Sequence, residues 1–264
     1  MKKYELTTNT KMRFGRKLFQ IKALVSFGDV TAGDLGGYIE KEENLSNDGE
    51  SWVYGDALVY GDALVSGNAR VYGNAQVSGD AWVSGDAWVS GDARVSGDAL
   101  VSGNALVYGN AQVSGNARVS GNALVYGNAQ VSGNARVYGN AQVSGDAWVS
   151  GDARVYGNAQ VSGDAWVSGD ARVSGDALVS GNAWVSGDAD YICFKGFGSE
   201  SRNTTMFRTK NGDIYVCCGC FEGSLKEFSE KVKETHGTSK YAKEYLACIE
   251  VAKIHFEIGE KDDK

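Results

Sequence analysis

From Val53 to Asp190 apolar and polar positions alternate on a strict six-residue period, in which Val-[Ser/Tyr]-Gly-[Asp/Asn]-Ala-x recurs 23 times without an insertion. Valine and alanine are the constant apolar positions, so each unit offers one large and one small side chain to an interior. Around each valine, x-Val-[Ser/Tyr] reads as a short strand with valine pointing in and its two neighbours pointing out. Gly followed by Asp or Asn makes the corner, because these residues tolerate the positive φ of a sharp bend. One such strand cannot bury its valine alone, and the stable solution is a stack of coils in which each strand pairs with those above and below. The pattern predicts a β-solenoid.

The variable positions predict the shape of the coil. Like residues recur at 18: Arg118, Arg136, Arg154 and Arg172 form one row, and Trp148, Trp166 and Trp184 another. Gln112 with Gln130, Leu106 with Leu124, Tyr108 with Tyr126, and Tyr138 with Tyr156 keep the same spacing. Three units per coil make a triangular prism, and between seven and eight coils at ~4.8 Å give a rod roughly 35 Å long. Residues 101–118 are identical to 119–136, and 137–154 to 155–172, so tandem duplication by whole coils is one origin of the rows.

Both ends depart from the repeat, as an open solenoid requires if its cut core and sheet edge are not to stack on another molecule. The chain divides into an N-terminal β cap with irregular first coils (1–52), the repeat rod (53–190) and a small α+β domain (191–264). In the first segment, Lys17 to Phe27 alternates as a strand with Phe19, Ile21, Ala23, Val25 and Phe27 on one face, and Tyr4 to Leu6 pairs with it. In the last, Tyr191 to Gly196, Thr204 to Thr209 and Asp213 to Cys217 read as strands, with Asn211-Gly212 as a hairpin turn. Ser224 and Glu227 form a capping box for a helix over Leu225 to His236, stopped by Gly237. Ser239 starts a second helix to about Phe256, with Tyr241, Tyr245, Leu246, Ile249 and Ala252 on its apolar face.

Composition narrows the setting. Thirty-six glycines against no proline fit regular β structure rather than a disordered linker. The net charge of −7 sits entirely on the rod, which holds 13 Asp and 6 Arg, while the remainder has 20 basic and 20 acidic residues. An acidic rod argues against nucleic acid as a partner. No stretch has the length and apolarity of a signal peptide or a membrane span, and an odd set of five cysteines, all in the last quarter, reads as reduced thiols; both point to the cytoplasm.

Tandem hexads of this kind resemble the left-handed β-helix of bacterial hexapeptide-repeat proteins, a superfamily that includes many acyltransferases. The resemblance covers about half the chain and implies the left hand, which the periodicity does not. Gly36-Gly37-Tyr38-Ile39 and the GDIYVCCGCFEG segment from Gly212 to Gly223, with the helices after it, are similar to poorly characterised phage and prophage hexapeptide proteins. That resemblance implies a phage-encoded protein and supplies no activity.

Acyl transfer would need a general base, and the only histidines, His236 and His255, lie outside the repeats, with no loop in the rod to build a donor pocket. Cys217 and Cys220 form a single Cys-x-x-Cys pair with no second pair at zinc-ligand spacing, and calcium-binding solenoids use nonapeptides absent here, so no metal or cofactor is expected. Asp62, Asp80, Asp98, Asp152, Asp170 and Asp188 share one edge that could imitate DNA phosphates, but Asn116, Asn134 and the arginine row interrupt it. The outward ladders are the remaining chemistry. Trp148, Trp166 and Trp184 form an aromatic row, and Arg118, Arg136, Arg154 and Arg172 beside Tyr138 and Tyr156 a cationic and aromatic one. The expectation is a non-enzymatic scaffold that binds a host macromolecule, in an anti-defence role, or assembles with itself. A hexapeptide acyltransferase and an acidic DNA mimic are the alternatives, and a small-molecule ligand stays open.

Overall fold

A computed structural model describes residues 2–258; the last six residues of the expected C-terminal domain lie outside the described residues. The N-terminal cap holds β1 (Tyr4–Arg13), β2 (Arg16–Ala23) and β3 (Leu35–Ile39). The rod holds 23 two-residue strands, from β4 (Trp52–Val53) to β26 (Trp184–Val185). After it come β27 (Tyr191–Phe197), β28 (Arg202–Arg208), β29 (Ile214–Cys218), β30 (Phe221–Ser224), α1 (Leu225–His236) and α2 (Lys240–His255).

Each rod strand is an x-Val pair, and every third strand falls in the same parallel sheet, which fixes an 18-residue, three-sided coil. All the repeat valines of Val53–Val185 and the repeat alanines from Ala57 to Ala183 are buried, so the interior is a column of alternating large and small apolar side chains. At the corners from Gly55 to Gly181 φ lies between +58° and +74°. Glycine is required there twice over, because a Cβ on Gly121 would stand 3.0 Å from the backbone nitrogen of Gly139 in the next coil. The register stacks Gln112 on Gln130, Leu106 on Leu124 and Arg136 on Arg154, as the spacing predicts.

The ladder has a direction, and it dictates what each cap must provide. Arg118 N donates to Ala135 O of the following coil at 2.9 Å, so the rod begins with unpaired carbonyls and ends with unpaired N–H groups. At the start, Tyr38 N donates to Ala57 O (2.9 Å) and Ser46 N to Val65 O (2.9 Å). The buried Asn44 amide donates to Gly61 O (3.0 Å) and Ala63 O (2.8 Å). At the far end the partners are acceptors: Asp188 takes Arg172 N (2.8 Å) and the Thr205 hydroxyl takes Leu178 N (3.0 Å).

The caps also close the core. Trp52, fully buried, meets Tyr4 and Phe27 edge-on, with ring centroids 6.2 and 5.5 Å away. β1 runs to Arg13, well past the short pairing expected at Leu6, and β2 stops at Ala23 rather than Phe27. Strand alternation puts Leu18 outside with Tyr38 and Leu58, and Ile21 and Ala23 on the core, and the register against β3 shifts between Gln20 and Lys22. Val25 and Phe27 therefore leave the strand, and Gly28 (φ +51°) turns the chain. At the other end the antiparallel sheet β27-β28-β29-β30 covers the last coil, with Phe207 and Cys217 joining the rod core. β30 was not expected from sequence, since four residues of FEGS carry no strand pattern; it forms because Gly219 (φ +62°) turns the chain back on β29. The opposite side of that sheet packs on α1 and α2 through Val216, Phe228, Val232, Tyr245 and Ile249. Both helix caps hold as expected, Ser224 Oγ accepting from Glu227 N and Ser239 Oγ from Ala242 N.

Candidate functional site

On the face that continues the cap sheet, the outward column ends in Trp148, Trp166 and Trp184. Trp148 and Trp166 stack with centroids 5.0 Å apart and planes 10° from parallel, and Trp184 tilts by 51° at 4.4 Å. Their side chains lie along the sheet, the Trp148 indole donating to Ser132 Oγ (3.3 Å) and that of Trp166 to Ser150 Oγ (3.4 Å) in the preceding coil. Trp148 is exposed, but Trp166 and Trp184 are half-buried, contrary to a fully outward row. The C-terminal domain overhangs them. Between the two lies a groove of about 1070 Å³ floored by Trp166 and Trp184 and walled by the Asn211-Gly212 turn, Ile214, Leu225 and Ile249, with Lys210, Lys226 and Lys253 balanced by Asp164, Asp213 and Glu227. The sequence marks the hairpin turn and the tryptophans separately; no periodicity says that they meet.

A second face carries Leu64, Trp82 and Leu100, then Arg118, Arg136, Arg154 and Arg172, in one register. Tyr138 and Tyr156 follow Arg136 and Arg154 on it and stack 5.0 Å apart, 1° from parallel. All four arginines are exposed. Among the described residues the arginine ion pairs are Arg16 with Glu40, Arg70 with Asp29 and Arg208 with Asp190, none of them in this row. The row ends at a hollow of about 550 Å³ between Tyr156, Arg172, Tyr191 and Lys195. The third face stacks Tyr108 on Tyr126 (5.0 Å) and sets Arg70 over Trp88, 5.6 Å from the ring.

The corners carry a rule that free exchange of Asp and Asn does not anticipate. Each corner Asn amide from Asn68 to Asn158 donates forward to the corner residue 18 positions on, as in Asn104 to Asn122, Asn122 to Asn140 and Asn140 to Asn158 at 3.0 Å each. A run ends on an Asp, which accepts and has no proton to pass on: Asn158 donates to Asp176 at 2.8 Å and Asn134 to Asp152 at 2.9 Å. The expected acidic edge is in place, and its breaks at Asn116 and Asn134 are hydrogen-bonded to each other (3.1 Å).

Strand alternation sends Cys217 into the rod core and Cys218 toward the helices, while Cys220 is exposed on the turn. Burial pushes the Cys217 and Cys248 thiols up to about 11. All five cysteines are free, and no cluster of potential ligands occurs among the described residues. His236 stacks on Tyr245 at the end of α1, and His255 stands edge-on to Phe256 at the end of α2. No helix among the described residues is long and apolar enough to cross a membrane.

The family described as YdcK Beta solenoid repeat matches residues 75–91, 93–109, 99–115, 111–127, 129–145, 141–157, 147–163, 153–169 and 171–187, all within the rod. No curated protein matches the chain. In coil geometry and in repeat sequence alike, this chain is a parallel β-solenoid repeat protein with a small antiparallel α+β domain at its C-terminal end.

Proposed function

We propose that this protein is a non-enzymatic scaffold that takes a macromolecular partner on its tryptophan face, at the groove where the ladder passes beneath the C-terminal domain. The observation that carries the reading is the continuity of exposed Trp148 with the half-buried Trp166 and Trp184 that floor the groove. Stacked indoles supply rigid apolar area at small conformational cost, and walls that set three lysines beside Asp164, Asp213 and Glu227 favour a partner segment with an apolar centre and charges of both signs. A protein segment is the occupant best suited to a groove of this volume, with an apolar floor and charged walls. The uninterrupted coils favour binding over catalysis, since no loop in the rod brings an acid, a base and an acceptor together. The phage resemblance of Gly36–Ile39 and Gly212–Gly223 favours a phage product acting on a host target, in an anti-defence role. Five free thiols favour the bacterial cytoplasm.

The test is capture from bacterial lysate with the tagged full chain, beside the double variant Trp148→Ala/Trp166→Ala and with nucleic acid and small molecules assayed in the eluate. A host protein retained by the wild type and lost with the double variant is the expected result. Equal capture by both, or an eluate holding only nucleic acid, would sink the reading.

A further inference from the structure

The arginine face is charged unevenly along its length. Its corner and strand positions fall into successive coils: Asp80 with Trp82, Asp98 with Leu100, Asn116 with Arg118, then Asn134 with Arg136. At these positions the four coils carry one negative, one negative, one positive and one positive charge, and Asp86 at the far corner of the Trp82 strand adds a second negative charge to the first. The charged side chains at these positions, with Trp82 and Tyr138, lie on the surface or half on it, and Trp82 is 49% exposed. Among the described residues Asp80, Asp98, Arg118 and Arg136 have no oppositely charged partner within ion-pairing distance.

A sequence of charges that reads minus, minus, plus, plus becomes its own complement when reversed. The geometry points to a second copy of this chain as the occupant of the arginine face, with the two rods antiparallel about a two-fold axis between the coils of Leu100 and Arg118. Such an axis lies in the contact plane, perpendicular to the rod, and keeps each corner edge over the same edge of the other copy while reversing the order of coils. Asp98 then meets Arg118 of the partner subunit, Asp80 meets Arg136 of the partner subunit, and Trp82 lies against that same guanidinium. The two asparagines that interrupt the acidic edge fall opposite Asp98 and Asp80 across the axis, and one coil farther out Asp152 falls opposite Asp62, whose charge Lys41 already pairs. The charge spacing matches without adjustment, because both partners repeat at the ~4.8 Å of a β ladder. A parallel pair would instead stack arginine on arginine.

The axis pairs six coils of this face, Leu64 with Arg154 at the ends, over ~29 Å by ~16 Å, so two copies bury together about 900 Å², the size of a weak, transient interface. The dimer is a weak one and is weakened further by salt, because its pairs lie near the rim. The inference concerns a different face from the tryptophan groove and stands or falls separately from it.

Sedimentation equilibrium of the full chain at roughly 100 µM and low salt tests it. The expected wild-type mass is twice 28.0 kDa. Arg118→Glu/Arg136→Glu makes the four pairing positions all acidic and Asp80→Lys/Asp98→Lys makes them all basic, so each variant alone is a monomer and their 1:1 mixture restores the dimer mass. Trp148→Ala/Trp166→Ala leaves the dimer intact. A monomeric wild type, variants that remain dimeric, or a mixture of folded variants that stays monomeric overturns the proposal. Should a variant lose its cooperative melt, the wild type decides alone: a dimer mass unchanged between about 50 and about 500 mM salt overturns it.

Discussion

Trp166 stands one coil above Trp148 with its ring centroid 5.0 Å away and its plane 10° from parallel, held by indole hydrogen bonds to Ser150 and Ser132. Two indoles fixed this closely couple electronically. The far-ultraviolet circular dichroism of the folded chain should contain an exciton couplet that Trp166→Ala abolishes. Trp82→Ala, whose ring has only Leu64 and Leu100 as strand neighbours, should leave the couplet in place.

Gly121 and Gly175 share one backbone conformation, at φ +69° and +68°, and differ in what lies above them. A Cβ on Gly121 meets Gly139 N at 3.0 Å and O at 3.1 Å, whereas one on Gly175 meets nothing within 4 Å. Ala at either position costs about 1–2 kcal/mol for the left-handed backbone. Gly121→Ala should cost about 1–3 kcal/mol more because two coils must separate. Denaturant melts of the two variants measure the difference, and equal losses would show that coil stacking tolerates the methyl group.

The forward asparagine ladder makes Asp and Asn unequal at the corners. Asn122→Asp removes the bond to Asn140 and should destabilise by about 0.5–1.5 kcal/mol. Asp92→Asn should do the reverse, still accepting from Asn74 while gaining a donor toward Asn110, for a gain of about 0.5 kcal/mol. Paired thermal melts check the signs; the ladder contributes nothing if both variants match wild type.

Cys217 and Cys248 are held near 11 by burial, above the ordinary thiol value of 9.0. Between those limits the unfolded chain releases protons that the folded chain keeps, so stability present below pH 9 falls as pH rises toward 11. The loss should approach roughly 2 kcal/mol per thiol, and Cys217→Ala and Cys248→Ala should each flatten the alkaline slope of a Tm-against-pH curve. Alkylation at neutral pH should label the exposed Cys220 first, leaving Cys217 and Cys248 to react only on unfolding. Rapid labelling of Cys217 would show that the C-terminal sheet does not stay seated on the rod.

The solenoid is legible in the sequence because valine at one position and glycine at another leave a six-residue unit a single way to bury its apolar atoms. The 18-residue rows place Trp148, Trp166 and Trp184 on one face and Arg118 to Arg172 on another for the same local reason: register within a uniform stack is arithmetic. The caps of the two C-terminal helices are legible too, since Ser224, Glu227, Gly237 and Ser239 act within a turn of the helices they bound. Strand β30 and the bulge after Gln20 escape because they depend on what the partner strand offers.

What the sequence determined by itself is every relationship generated by the repeat: strands, corners, core and the identity of each ladder. Tertiary structure alone decided where the ladders end. The burial of Trp184, the groove above it and the hydrogen bonds that close the rod arise between segments that share no period, Asn44 with Ala63 at one end and Thr205 with Leu178 at the other. Their pairing follows from the direction of the backbone ladder, which leaves carbonyls bare at the first coil and N–H groups bare at the last, and that polarity is a property of stacked chains rather than of any six residues.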